Sequence, residues 1–243
     1  SEDKDRGFID SLNFEIDGKT AKWKIDSTHV DIAKLYLNSP LKSGEKISIT
    51  TPFHVKIPLG IYSRLGHMGE SYQITQWYPK PAVYDKNGWN QMPYLTQGEF
   101  YSEFGSFDVS ITLPENYVLG ATGDMVDGEE ELAWLNEKVL LTEAKTSYDE
   151  NMDFPESSAK LKTLRFKQNN VHDFAWFADK RYHVLKGEVE LPHTKEKVTT
   201  WAMFTNSEAD LWTSSIEYLN DAVYYYSLWN GDYPYKHCTA VDG

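Results

Sequence analysis

A mostly β fold, closed by one helix and one short strand, is predicted by three features of this 243-residue sequence. Period-two alternation of apolar residues recurs through the first two hundred positions, turn formers separate the alternating runs at short spacing, and period 3.6 appears only after Thr205. Successive side chains of a strand point to opposite faces, whereas a helix returns to the same face every three or four residues. With 40% hydrophobic and 14% aromatic residues, the chain has enough core material for one large domain or a domain and a half.

In "LNFEIDGKTAKWKI", Leu12, Phe14 and Ile16 alternate, Asp17-Gly18 turns the chain, and Ala21, Trp23 and Ile25 alternate back, which predicts a hairpin. In "ISITTPFHVKI" the set Ile47, Ile49, Phe53, Val55 and Ile57 keeps its period across Pro52. A proline lacks the N–H that a central strand donates, so an edge strand or a bulge is expected there. In "FDVSITLP", Phe107, Val109, Ile111 and Leu113 share one face, the pattern of a sheet with one buried and one wetter side. From Asp124 to Lys160 acids and turn formers dominate. The runs "EKVLLTEA" and "KTLRFKQ" are read as short strands around a surface loop at "DENMDFPESSAK", whose acids read as a solvated face.

Beyond Thr205, Trp212, Ile216, Leu219, Val223 and Tyr226 fall on one helical stripe, Ser207 and Asp210 suit a capping box, and Asn230-Gly231 suits a stop. Residues 1–204 therefore read as a β domain and residues 205–243 as the opening helix and strand of a second domain. The last run, "GDYPYKHCTAVDG", alternates like a strand entering a core with nothing after it to pair with. The chain is expected to be cut there, with the apolar side, Tyr235 with Cys238 or Ala240, lacking its neighbours.

The formal charge of −13, from 37 acidic against 24 basic residues, repels phosphate backbones and anionic surfaces, so no nucleic-acid partner is expected. No run approaches the roughly 18 apolar residues of a membrane span, and "SEDKDRGFID" is charged where a signal peptide is apolar. Cys238 is the one cysteine, which rules out an internal disulfide and a thiolate metal cluster. None of the seven histidines stands in H-E-x-x-H or its inverse, so no metal ligand and no catalytic residue is assigned. There is no G-x-S-x-G elbow. Cys238 beside His237 is a poor nucleophile pair, because strand neighbours point apart, and it reads as a plain buried thiol. The glycines of "GIYSRLGHMGE" read as a tight surface loop. Glu99 and Glu103 in "GEFYSEFG" read as solvated carboxylates rather than an acid and base pair.

"ESYQITQWYPKPAVYDKNGWNQMPY" concentrates aromatics and amides. A solvent-facing row of Trp and Tyr would stack sugars, whereas buried ones would form core. Pro79, Pro81 and Pro93 read as an ordered loop outside any ladder, and such loops often carry function.

Three motifs in order, "ITQWYPKPAVYDKNGW", "GEFYSEFGSFDVSITLPENYVLGATG" and "NNVHDFAWFADKRY", resemble the N-terminal β-domain of the aminopeptidase N family of zinc metallopeptidases (gluzincins), in a form common among bacterial members. The resemblance runs from about Phe8 to Gly243. It implies a saddle-like β-sandwich of antiparallel and mixed sheets, packed over a thermolysin-like catalytic domain that removes single residues from peptide N-termini. "SSIEYLNDAVYYYSLW" and "YPYKHCTAVDG" would open that catalytic domain, which is this chain's implied partner and is absent here, as are G-x-M-E-N and H-E-x-x-H. This chain alone would hold no cofactor and be inactive, with zinc, bound by two histidines and a glutamate, in the full-length parent.

The β-domain of such proteins gives the active-site cleft one wall, including a Glu or Gln that contacts the free amino group of the peptide substrate. That residue lies nine positions before the proline of an "F-P-C" turn, and the same offset from Pro79 lands on Glu70. A carboxylate suits an α-ammonium in a partly dry pocket. Because this sequence has "QWYPKPAVYD" where the family has its Arg and "F-P-C-x-D", Gln73 and Gln76 compete for the role, while Trp77 and Tyr78 read as packing. The bacterial relatives imply a periplasmic or envelope location. A second reading from a different class is a stand-alone β-sandwich module binding glycan or protein, marked by a coplanar exposed row of Trp77, Tyr78, Trp89 and Tyr94. A third is an interaction scaffold docking through an apolar patch at Trp212, Leu219 and Tyr226.

Overall fold

The computed structural model describes residues 3–61, 65–93, 95, 98 and 101–243. Tyr94 and Glu99, both singled out above, lie outside the described residues. The early strands are β1 (Phe8–Asp10), β2 (Glu15–Ile16), β3 (Lys19–Thr20), β4 (Lys22–Ile25), β5 (Ala33–Tyr36), β6 (Ile49–Thr50) and β7 (His54–Lys56). They are followed by β8 (Gly66–Met68), β9 (Ser71–Ile74), β10 (Val83–Asp85), β11 (Gly88–Asn90), β12 (Gly105–Pro114), β13 (Val118–Ala121) and β14 (Asp124–Val126). Next come α1 (Glu129–Glu143), β15 (Leu161–Val171), β16 (Trp176–Asp179), β17 (His183–Glu190), β18 (Lys197–Phe204), α2 (Ala209–Trp212), α3 (Ser215–Asn230) and β19 (His237–Val241). The class is mostly β, with helices in the minority.

The chain forms two compact units, residues 1–59 with 76–103 and residues 60–75 with 104–243. In the first unit, β2 and β3 pair across Asp17-Gly18, both with positive φ, as a tight hairpin turn requires. Phe14, Ile16 and Ala21 are buried there with Leu12, Trp23, Leu35 and Ile47 against them, the expected alternation except at Ile25, which is exposed. The run across Pro52 divides into β6, which pairs with β2, and β7, which pairs with β1. The aromatic stretch is not all loop: β10 and β11 form a hairpin whose turn is held by Asn87 N–H donating to Asp85 Oδ1 at 2.8 Å. The prolines 79 and 81 precede β10, so they leave the ladder intact.

In the second unit, β12 pairs with β15 along its whole length, burying the face that carries Ile111 and Leu113. The sheet orders are β12-β15-β14, β13-β16-β9-β8 and β17-β18-β19. The run "EKVLLTEA", expected as strand, lies instead in helix α1. Glu131, Leu135, Val139 and Thr142 are its buried positions, a helical spacing; Leu135 and Val139 pack with Val184, Trp201 and Met203 of the β17–β18 sheet, and Thr142 Oγ1 accepts from Val184 N–H. "KTLRFKQ" does lie in β15, and "DENMDFPESSAK" is irregular and mostly exposed.

The single helix expected after Thr205 is two, α2 and α3, broken at Thr213-Ser214. No capping box forms, since neither helix has a side-chain hydrogen bond at its N-cap. Gly231, at φ 97°, ends α3 as expected. The buried side of α3 holds Val223 and Ser227, while Tyr226 is 67% exposed, so the stripe turns away from Tyr226. α3 lies on β17 at Gly187, where an added Cβ would meet Ile216.

β19 pairs in parallel with β18 and forms the edge of its sheet, with every residue half-buried. Cys238 packs against Leu191, Val198 and Val223. The cysteine expected to be buried is therefore half-buried, and the side expected to lack neighbours has them at this position; partial burial raises its thiol above the usual range, which keeps it unreactive.

His183, with Nε2 2.7 Å from Asn206 Oδ1, is half-buried beside Tyr148 and Phe204, and burial holds its imidazole below the usual range. A histidine depressed in the folded state binds its proton more readily when unfolded. Its contribution is therefore complete above the unfolded value of about 6.5 and is lost as pH falls from there through the lower folded value. His183→Gln is expected to flatten the loss of stability below about pH 6.5, measured by urea denaturation across that range. An unchanged slope would remove His183 as its source.

Candidate functional site

Glu70 stands in the two-residue turn of the β8–β9 hairpin, which Met68 and Ser71 close as partners. Gly69 precedes it with φ 59°, the conformation the first loop position of such a hairpin favours, and a Cβ there would strike the Phe154 ring. The turn thus needs glycine both for its backbone and for the approach of Phe154.

The Glu70 carboxylate is bonded to the Lys180 ammonium. Lys180 is 1% exposed in its side chain and Glu70 48%, so a buried cation meets a half-exposed anion. Lys180 also donates to Ser157 Oγ at 3.0 Å and lies 5.4 Å from the centre of the Tyr117 ring. Burial pushes the Tyr117 phenol up to about 12, so it stays a neutral donor and acceptor.

Beside this pair Asp179, fully buried, accepts Arg181 Nε at 3.0 Å and Nη2 at 2.6 Å. Arg181 Nη1 donates to the Met152 carbonyl at 2.8 Å, and its guanidinium carbon lies 3.7 Å from the Phe154 ring centre. The segment 149–160, which has no regular structure, is therefore strapped to the strand end at Asp179 by Met152, Phe154 and Ser157. Asn116 holds its far end, donating to the Glu156 carbonyl and accepting from Ser158 N–H.

Gln73 lies in β9 between Phe177 and Gly66, with its amide against Gly243. Gln76 falls in the first unit, whereas Glu70 and Gln73 fall in the second. The sequence reading missed Lys180; its signal is a pair of cations, "KR", set directly after the apolar strand "WFAD".

Of the aromatic residues, Trp77 packs on Phe53 and Tyr78 and is half-buried. Trp89 is 65% exposed, but the Trp77 and Tyr78 rings meet edge to face at 68°, so the described members form no coplanar row. Glu103 is exposed, as a solvated carboxylate should be. A separate open groove of about 450 Å³ lies on the outer side of β12, β14 and β15, where Asp108 is paired with Arg165 and Lys167. Among the described residues no three His, Cys, Asp or Glu side chains converge to hold a metal ion.

Comparison with solved structures supplies the relationship. An M1 zinc metallopeptidase from Deinococcus radiodurans matches 97% of this chain with a TM-score of 0.55 and 15% identity. A mutant of that protein bound to a Tyr-Ser-Ala substrate matches the same share with a TM-score of 0.56 and 14% identity. The chain has the fold of part of an M1 zinc metallopeptidase. Aminopeptidase A from Legionella pneumophila, solved with aspartic acid, shares the fold at a TM-score of 0.53 and 10% identity. This chain spans about half of the Deinococcus metallopeptidase, 46%, and 24% of the Legionella one, shares consistent with an N-terminal region. The sequence matches no protein-family model and no curated protein. The metallopeptidase fold therefore rests on the course of the backbone, together with the three motifs quoted above.

Proposed function

We propose that this chain is the non-catalytic N-terminal part of a zinc-dependent aminopeptidase. Residues 1–204 form its β domain and residues 205–243 open a catalytic domain carried further along the parent protein. The observation that supports this most is the pairing of a metallopeptidase fold over 97% of the chain with a sequence that contains no H-E-x-x-H. In the parent, zinc would be held by the catalytic domain, and no step of hydrolysis is assigned to residues of this chain.

The role proposed for the chain is to wall the active-site cleft and to accept the α-ammonium of a peptide. Glu70 is the candidate by charge, since an ammonium gains most from an ionised acceptor. Lys180 already engages that carboxylate, so a substrate ammonium must share it or displace Lys180. Gln73 and Gln76 therefore stand beside Glu70 as candidates, each offering an amide oxygen.

Two experiments test the proposal. The isolated chain, incubated with zinc and aminoacyl-aminomethylcoumarin substrates, is expected to show no turnover and no stoichiometric metal, and robust activity would refute it. In the parent protein, Glu70→Gln, Gln73→Ala and Gln76→Ala are compared by KM and kcat. The true contact is expected to lower kcat/KM by about tenfold or more, the equivalent of about 1.4 kcal/mol of lost charge-assisted bonding. Three unchanged values would remove the amino-group role from this chain.

A further inference from the structure

Trp134 of α1 carries two ammonium groups against one indole: Lys138 Nζ lies 4.8 Å and Lys162 Nζ 4.0 Å from the ring centroid. Lys162 belongs to the inward row of β15 that continues as Leu164 and Phe166, and it donates to Glu131 Oε1 at 2.6 Å. The side chains of Lys162 and Glu131 are 14% and 8% exposed. Among the described residues Lys138 has no ion pair.

Glu131 pairs with Lys162 in this half-dry place and Glu115 also favours the Lys162 charge, so among the described residues Lys138 is the ammonium here without a counter-ion in contact. The two ammoniums share one ring, and their separation is at most comparable to the Debye length of about 10 Å, so salt weakens their repulsion only in part. Burial lowers the proton affinity of both lysines, and Lys162 lowers that of Lys138 further. An indole face attracts a cation but does not satisfy three N–H donors. Lys186 shows the contrast: it lies 4.9 Å from the Trp201 ring and donates to Asn136 Oδ1 at 3.1 Å.

We propose that Lys138 and Lys162, beside Trp134, form a binding site for one small oxyanion. Glu131 fixes the Lys162 ammonium, and the anion completes the hydrogen bonding of Lys138 and cancels the repulsion. Phosphate and carboxylate groups both have this chemistry.

The test is thermal denaturation of the full chain in inorganic phosphate, in acetate, and in sodium chloride at matched ionic strength. A bound anion raises Tm along a saturating curve, whereas general salting does not saturate. Saturation by phosphate alone marks a phosphate-type site, and saturation by both marks a general oxyanion site; either supports the proposal. Lys138→Met is expected to weaken the anion by about tenfold or more, the loss of one charge-assisted contact. Lys186→Met should leave the response intact. Removing Lys138 relieves repulsion, so the variant is expected to be at least as stable as the parent in chloride, and Lys138→Gln provides a second variant. A phosphate and acetate response no different from chloride, or one retained in both Lys138 variants, would overturn the site.

Discussion

Asp179→Ala is expected to destabilise the fold by about 3–5 kcal/mol, because it leaves Arg181 buried without its counter-charge. Both carboxylate oxygens of Asp179 are engaged, Oδ1 by the Arg181 N–H at 2.7 Å as well as by Nε, and Oδ2 by Nη2. The Arg181 side chain is only 14% exposed, so little water can replace the lost partner. The effect should extend to segment 149–160, since Arg181 also carries Met152 and Phe154. Urea denaturation gives the free energy, and limited proteolysis reports whether that segment is released. A change below about 1 kcal/mol, the range of an exposed ion pair, would mean that the guanidinium finds another partner.

Phe204→Ala is expected to cost a comparable amount, about 3–5 kcal/mol, through lost burial and the cavity left behind. Phe204 is fully buried at the end of β18, with Trp212 of α2 stacked on it at 5.9 Å and 9° and Tyr148 at 5.8 Å. The ring joins the sheet to the short helix that leads into α3. Near-ultraviolet circular dichroism should show loss of the Trp212 environment along with the fall in stability. Phe204→Leu, which refills most of the space, should recover more than half of it. Equal losses for Ala and Leu would point to ring stacking, not volume, as the source.

What the sequence made legible follows from how uniform each pattern is. The hairpin at Asp17-Gly18 and the face of β12 were readable because turn chemistry and alternation agree at those places, whereas the run across Pro52, expected as an edge strand or a bulge, is divided into β6 and β7 with different partners. α1 was not, because its buried side includes Glu131 and Thr142 while Leu132, Leu140 and Leu141 are exposed. Its apolar residues form no single stripe, and tertiary contacts with β17 select the helix instead. α3 was readable as a helix but not in its facing, since the small polar Ser227 is buried where the bulky Tyr226 was expected. Glu70 stood out as a carboxylate near an aromatic stretch, but its ion-pair partner lies 110 residues further on. No local pattern encodes that pairing.

The central claim is that this chain serves a zinc aminopeptidase whose metal site lies elsewhere in the parent protein. It is tested most directly by sequencing the coding frame downstream of Gly243. The account expects G-x-M-E-N, then H-E-x-x-H and a later Glu, within about one further domain. A frame that stops at Gly243, or that continues into a domain with no such zinc motif, would contradict it.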